Sequence, residues 1–216
     1  MASTECIFHK DVLDQIKEKY NLEQWSSESG GMLIGWRDDT STYVTAVFFP
    51  PQQEETGFFC KFSGRELARC RTALIEATPL PELYTLNIVG WVHTHPRLKT
   101  FMSTTDHDTF SDWTKMDQSA VAVVIDPYLS HPSDIDSFTT IQEINKGETM
   151  KIQTVVKTEF NLPIDVIEYL QSFQEILISK YENNHDTVLV GIPRNEKIKL
   201  KSRFVSAFRN VLRKIK

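Results

Sequence analysis

The run Gly90-Trp-Val-His93-Thr-His95-Pro96 sets two histidines two positions apart at the end of an apolar, β-branched stretch. Residues two apart in an extended chain point to the same face, so both imidazoles can converge on one ion. A catalytic zinc takes imidazole nitrogen and carboxylate oxygen from three protein ligands and keeps a fourth position open for water. Asp106 is the best third ligand by spacing. It follows a short loop and falls in the first turn of a predicted helix, where the helix dipole also favours a carboxylate. His107, inside Asp106-His107-Asp108, is the alternative. Two plainer readings stand beside the metal site. A bare His-x-His is often a pair of hydrogen-bonded core residues, and Ser103-Thr-Thr-Asp106 fits a capping-box pattern. Cap and ligand are compatible roles.

Such a cluster needs a sheet to hold it. The strand signals are Gly31–Trp36, Thr42–Phe49, Gly57–Phe62, Leu86–His93, Ser119–Ile125, Phe138–Ile144 and Thr149–Val156, the last two joined by Asn145-Lys-Gly147. Helices are predicted over His9–Tyr20, from the Ser63-x-x-Glu66 capping pattern to about Ala77, between the two central strands, and from Pro163 to about Tyr181. The order α-β-β-β-α-β-α-β-β-β-α predicts an α+β sheet with helices on its faces. With 216 residues, 40% hydrophobic and 25% charged, the chain can bury one ordinary core with an appendage.

The spacing His93-x-His95, seven residues, Ser103, two residues, Asp106 resembles the JAMM or MPN+ metalloproteases residue for residue. Upstream, Glu28 precedes the strand Gly30-Gly-Met-Leu-Ile-Gly35, as that family's Glu does. The resemblance covers roughly residues 6–157. Trp91, Thr94 and Phe101-Met-Ser103 are similar to the eukaryotic-style deubiquitinases, including the AMSH type, and Val121-Ala-Val-Val-Ile-Asp-Pro127 to the proteasome-lid isopeptidase. The fold this implies is the MPN, or cytidine-deaminase-like, mixed sheet flanked by helices, with a C-terminal helical extension. The implied cofactor is one catalytic Zn2+ on His93, His95 and Asp106, with water as fourth ligand. Glu28 would move the proton and Ser103 would stabilise the oxyanion. Without the resemblance Glu28 would be a solvated loop acid, and Glu23 and Glu5 are the fallback bases. The implied reaction is hydrolysis of the bond between the C-terminus of ubiquitin, or a ubiquitin-like modifier, and a lysine ε-amine. Trimming of a ubiquitin-like precursor and a non-catalytic MPN scaffold are the alternatives. The partners would be ubiquitin-type conjugates and an activating protein. AMSH enzymes add a structural zinc from downstream Cys and His, but here only His131 and His185 follow and no Cys lies beyond Cys70.

Three Cys (Cys6, Cys60, Cys70) fit neither a disulfide framework nor a CxxC zinc site, and read as reduced, buried thiols of a cytoplasmic protein. Neither a signal peptide nor an 18-residue apolar span is found. The expected division is a metalloprotease domain over 1–157, a helical extension over 158–193 and a basic amphipathic helix over 194–216. That last segment holds nine Lys/Arg against one Glu, leaving 15 basic and 28 acidic residues before it. Phe204, Phe208, Val211, Leu212 and Ile215 give it one apolar stripe, and Ile198 and Leu200 read as an extended lead-in able to pair with a sheet edge. Docking on the chain's own acidic body or on a partner is favoured over membrane or nucleic acid.

Overall fold

The apolar runs that read as strands do assemble into one main sheet. In a computed structural model, residues 3–23, 25–52, 54–56, 59–61, 63–78, 86–140, 149–158, 160, 164–181 and 189–194 are described. The elements are β1 (Glu5–His9), α1 (Lys10–Glu23), β2 (Gly30–Arg37), β3 (Ser41–Phe49), β4 (Glu54–Thr56), β5 (Phe59–Lys61), α2 (Gly64–Ala77), β6 (Asn87–Thr94), α3 (Thr104–Met116), β7 (Val121–Ile125), β8 (Ile135–Thr140), β9 (Thr149–Lys157), α4 (Ile164–Lys180) and β10 (Leu189–Gly191). No helix among the described residues is long and apolar enough to cross a membrane.

The strand order is β1-β9-β8-β7-β6-β2-β3-β10. The expected mixed sheet is present, and it goes one step further. Because β1 pairs in parallel with both β9 and β3, the sheet closes on itself as a barrel. Closure rests on a strand the sequence reading missed. Glu5–His9 runs without a turn into α1, so its five residues merge with the helix signal that begins at His9.

Alternation along the strands splits the core into two. One face carries Met32, Ile34, Phe48, Trp91, Ala122 and Val124 and is covered by α2, α3 and α4. The other carries Leu33, Val44, Val92, Val121, Val123 and Ile125 and is covered by α1 through Val12, Leu13, Ile16 and Tyr20. Burial of this kind contributes about 1.5–3 kcal/mol per large apolar side chain. α4 packs along α2, and β10 extends the barrel antiparallel to the second half of β3.

Other local expectations change. The described part of the expected strand Gly57–Phe62, β5, is not in the main sheet. β5 instead pairs with β4 in a separate two-stranded sheet. The capping box of α2 is not made: Ser63 occupies the N-cap without a side-chain hydrogen bond, while the Glu66 carboxylate accepts from Tyr181 at the end of α4 and from Arg69 at 3.0 Å. A tertiary partner outcompetes the local one there. β8 starts at Ile135, earlier than expected. The Asn145–Gly147 turn, Pro163, His185, the tail helix and its Ile198–Leu200 lead-in lie outside the described residues. Cys6 and Cys70 are buried free thiols, both pushed up to about 12 by burial. The side chain of Cys60 lies outside the described residues.

Candidate metal centre

β6 ends beside the start of β2, with Gly30 opposite His93. The ladder continues one step into the loop, where Thr94 N–H donates to the Ser29 carbonyl at 2.9 Å and Ser29 N–H to Thr94 Oγ1 at 2.8 Å. Tyr20 Oη of α1 lies 2.5 Å from the same Thr94 hydroxyl. These bonds fix residue 28 next to the strand end that bears the histidines. Trp91, His93 and His95 share one face of β6 and the residues after it, and they form a continuous row of rings ending on Phe101. The centroid distances along the row are 5.0, 4.6 and 5.1 Å.

The third contributor is α3. Asp106, Phe110 and Trp113 fall at i, i+4, i+7 and form its buried side, so packing of the two aromatic rings into the core carries Asp106 onto the His93 face. Its start is fixed by a complete capping box: Ser103 Oγ accepts from Asp106 N–H at 3.2 Å, and Asp106 Oδ2 accepts from Ser103 N–H at 2.8 Å. The helix-cap reading of Ser103-x-x-Asp106 is therefore correct, and the same cap orients the carboxylate.

Four residues meet here, each no more than 4% exposed: Glu28, His93, His95 and Asp106. His93 Nε2 lies 3.0 Å from Glu28 Oε2, and its Nδ1 lies 3.2 Å from Asp106 Oδ1. His95 Nε2 lies 3.3 Å from Asp106 Oδ2 and 3.7 Å from Glu28 Oε1. The tightest ligand-capable trio, with all atoms within 4.8 Å of one another, is Glu28, His93 and His95. That differs from the His93–His95–Asp106 set expected from the sequence, although Asp106 touches both imidazoles. Two buried imidazoles facing two buried carboxylates form the nitrogen and oxygen donor set that zinc takes.

Electrostatics follow from the crowding. Burial draws the His95 imidazole down, but the hydrogen bond and charge of Asp106 with the charge of Glu28 outweigh it and leave the pKa raised. Burial likewise opposes ionisation of Asp106, yet the His95 hydrogen bond, the His93 charge and the Ser103 bonds hold its carboxyl at about 2. The cluster thus keeps Asp106 ionised and makes the His95 imidazole more basic than usual.

The alternatives separate cleanly. His107 turns toward β9, with Nδ1 3.0 Å from Thr149 Oγ1. Glu5 meets Ser41 across β1 and β3. Glu23 has a described backbone only. Trp36 and Trp113 pack on the core, and Trp25 lies edge-on to Tyr20. The residue that sequence reasoning passed over is Asp126, fully buried at the end of β7. Its signal was an acid directly after a buried strand and before a proline.

Comparison with known proteins places the chain among relatives. Over 163 residues the chain is 27% identical to the 26S proteasome regulatory subunit rpn11 of Schizosaccharomyces pombe, covering 74% of this chain and 50% of that protein. It is 33% identical over 100 residues to the AMSH-like ubiquitin thioesterase 1 of Arabidopsis thaliana, covering 46% and 18%, and 32% identical over 114 residues to the 26S proteasome non-ATPase regulatory subunit 14 of Caenorhabditis elegans, covering 51% and 35%. The chain spans half or less of the length of these relatives. The solution structure of protein DSY2949 from Desulfitobacterium hafniense shares the fold, with a TM-score of 0.54 at 16% identity over 71% of this chain and 94% of that one. The family of prokaryotic homologs of the JAB domain matches residues 9–141, well over half of the chain and all four clustered side chains. The chain belongs to that JAB/MPN family, the one its His-x-His to Asp spacing resembles.

Proposed function

We propose that this protein is a zinc-dependent isopeptidase that releases ubiquitin, or a ubiquitin-like modifier, from a lysine ε-amine. The observation that carries this reading is the convergence of Glu28 on both histidines from the loop before β2, at 3.0 and 3.7 Å, beside an Asp106 already on the same two rings. A structural zinc site is closed by four protein ligands, so this reading requires Glu28 to stay off the ion and leave the fourth position to water. His93, His95 and Asp106 would hold the ion, and Zn2+ would supply a Lewis-acidic charge that polarises the scissile carbonyl and acidifies water. Glu28 takes the proton of the attacking water and hands it to the departing ε-amine, so that amide and water become carboxylate and amine. The O–H of Ser103, whose oxygen already accepts from Asp106 N–H, donates to the oxyanion. The substrate class rests on the relatives, whose names are those of ubiquitin thioesterases and proteasome subunits. An activating protein partner and a reducing, cytoplasmic compartment belong to the same proposal.

Purified zinc-loaded protein should cleave at least one member of a panel of ubiquitin chains and ubiquitin-like precursors, and a chelator should abolish it. Glu28→Gln should keep zinc and lose turnover, whereas His95→Ala and Asp106→Ala should lose zinc by elemental analysis. Wild-type turnover in Glu28→Gln would remove the base from the mechanism. Retention of zinc in Asp106→Ala together with its loss in Glu28→Gln would exchange the two carboxylates' roles.

A further inference from the structure

We propose that Asp126 is a positioning residue for His95, acting through the loop between them. This builds on the zinc reading of the site. Asp126 touches none of the clustered side chains' ligand atoms, yet its fully buried carboxylate is committed to the loop that follows His95. Oδ1 accepts from Arg97 N–H at 3.0 Å and from Tyr128 N–H at 3.1 Å, and Oδ2 accepts from Lys99 N–H at 2.9 Å. Arg97 and Lys99 have φ of 66° and 73°, the left-handed region that side chains other than glycine disfavour. Both residues are exposed, so burial of their side chains does not hold them there. The buried carboxylate does, by collecting both amides at once.

The consequence reaches the metal site through one atom. In this loop conformation the Lys99 carbonyl lies 3.1 Å from His95 Nδ1. A carbonyl can only accept, so Nδ1 carries the proton, and Nε2 is the nitrogen presented to Asp106 and Glu28. The same short segment also steadies the opposite wall, because Tyr128 Oη donates to the Trp25 carbonyl at 2.6 Å, three residues before Glu28, while the Arg97 guanidinium lies 4.2 Å over the Tyr128 ring.

The test is zinc affinity measured with zinc alone, by competition with a chromophoric chelator, alongside 15N NMR of the His95 ring. Asp126→Asn places an amide donor against backbone donors, and should weaken zinc binding about 10–100-fold with loss of the Nδ1–H tautomer. Lys99→Pro removes the N–H and forbids positive φ in an exposed loop, and should do the same with the core intact. Adding Lys99→Gly to Asp126→Asn should recover part of the affinity, since glycine takes positive φ without penalty. A general loss of stability would not be relieved by that glycine. Wild-type zinc affinity in Lys99→Pro, or a deficit in Asp126→Asn that Lys99→Gly leaves unchanged, would overturn the proposal. Because the readout is metal binding, absence of isopeptidase activity in the wild type would count against the proposed function and not against this clamp.

Discussion

His95 and Asp106 leave opposite pH signatures on the metal-free protein. The raised His95 pKa contributes stability that is fully present below the unfolded value of 6.5 and is lost as pH rises through the folded value. The depressed Asp106 pKa contributes stability present above 3.8 and lost as pH falls toward about 2. On the zinc reading of the site, the ion would compete with the first of these, because a ligating imidazole must be neutral. Zinc binding should therefore release a proton from His95, and its affinity should climb with pH from below 6.5 until the raised pKa is passed. Calorimetry at pH 6.5 in two buffers of different ionisation enthalpy measures that release; equal heats would show that His95 is already neutral. At this scale the sequence was readable where side chains act in a fixed register. His93, His95, Ser103 and Asp106 are tied together by one strand, one loop and one cap. Glu28 was readable only through family order, because its place depends on β2 lying antiparallel to β6 with Gly30 opposite His93. Asp126 was invisible as a participant, since its role is exerted on backbone amides 27 and 29 residues away in sequence.

The central elements owe their closeness to a missing side chain. A Cβ on Gly90 would stand 2.0 Å from the Val121 carbonyl oxygen, which means β6 and β7 could not keep their register if residue 90 were larger. β6 and the residue after it carry the two histidines, and Asp126 directly follows β7, so separating the strands disturbs ligand and clamp together. Gly90→Ala should cost about 1–3 kcal/mol, seen as a melting temperature lower by roughly 2–4 °C per kcal/mol, and should weaken zinc binding as well. Gly64→Ala is the control: nothing lies within 4 Å of its Cβ position at the start of α2, and melting should change little. Wild-type behaviour of Gly90→Ala would mean that the two strands tolerate a shift without moving the site. Apolar alternation and length made β2, β3, β6 and β7 legible. The capping pattern at Ser63 misled about α2's cap because Glu66 had a stronger partner, Tyr181, beyond any local window.

Across the whole molecule, closure of the barrel and attachment of the chain after α4 depend on short strands that carry almost no signal alone. β10 is three residues long and pairs Leu189, Val190 and Gly191 with Phe49, Phe48 and Val47. It is locked to α1 by Gln15, whose side-chain amide donates to the Ile192 carbonyl and accepts from the Ile192 N–H at 3.3 Å, and Ile192 itself is buried. Arg194 follows with Glu18 at 2.9 Å, but both side chains are more than half exposed, and such a pair contributes at most about 1 kcal/mol. These magnitudes rank two truncations. Removing residues 195–216 takes away none of the contacts just named. Removing 189–216 strips the Ile192 anchor, roughly 1.5–3 kcal/mol, orphans the Gln15 amide, and bares the hydrogen-bonding edge of β3 at Val47 to Phe49. The longer deletion should thus lower the melting temperature by about 3–12 °C relative to the shorter one, and should promote aggregation. Both proteins should still bind zinc, since the proposed ligands His93, His95 and Asp106 lie at the end of β6 and on α3. Equal melting of the two truncations would mean that β10 adds nothing to stability, while a large loss on removing 195–216 alone would place the stabilising contact in the basic tail.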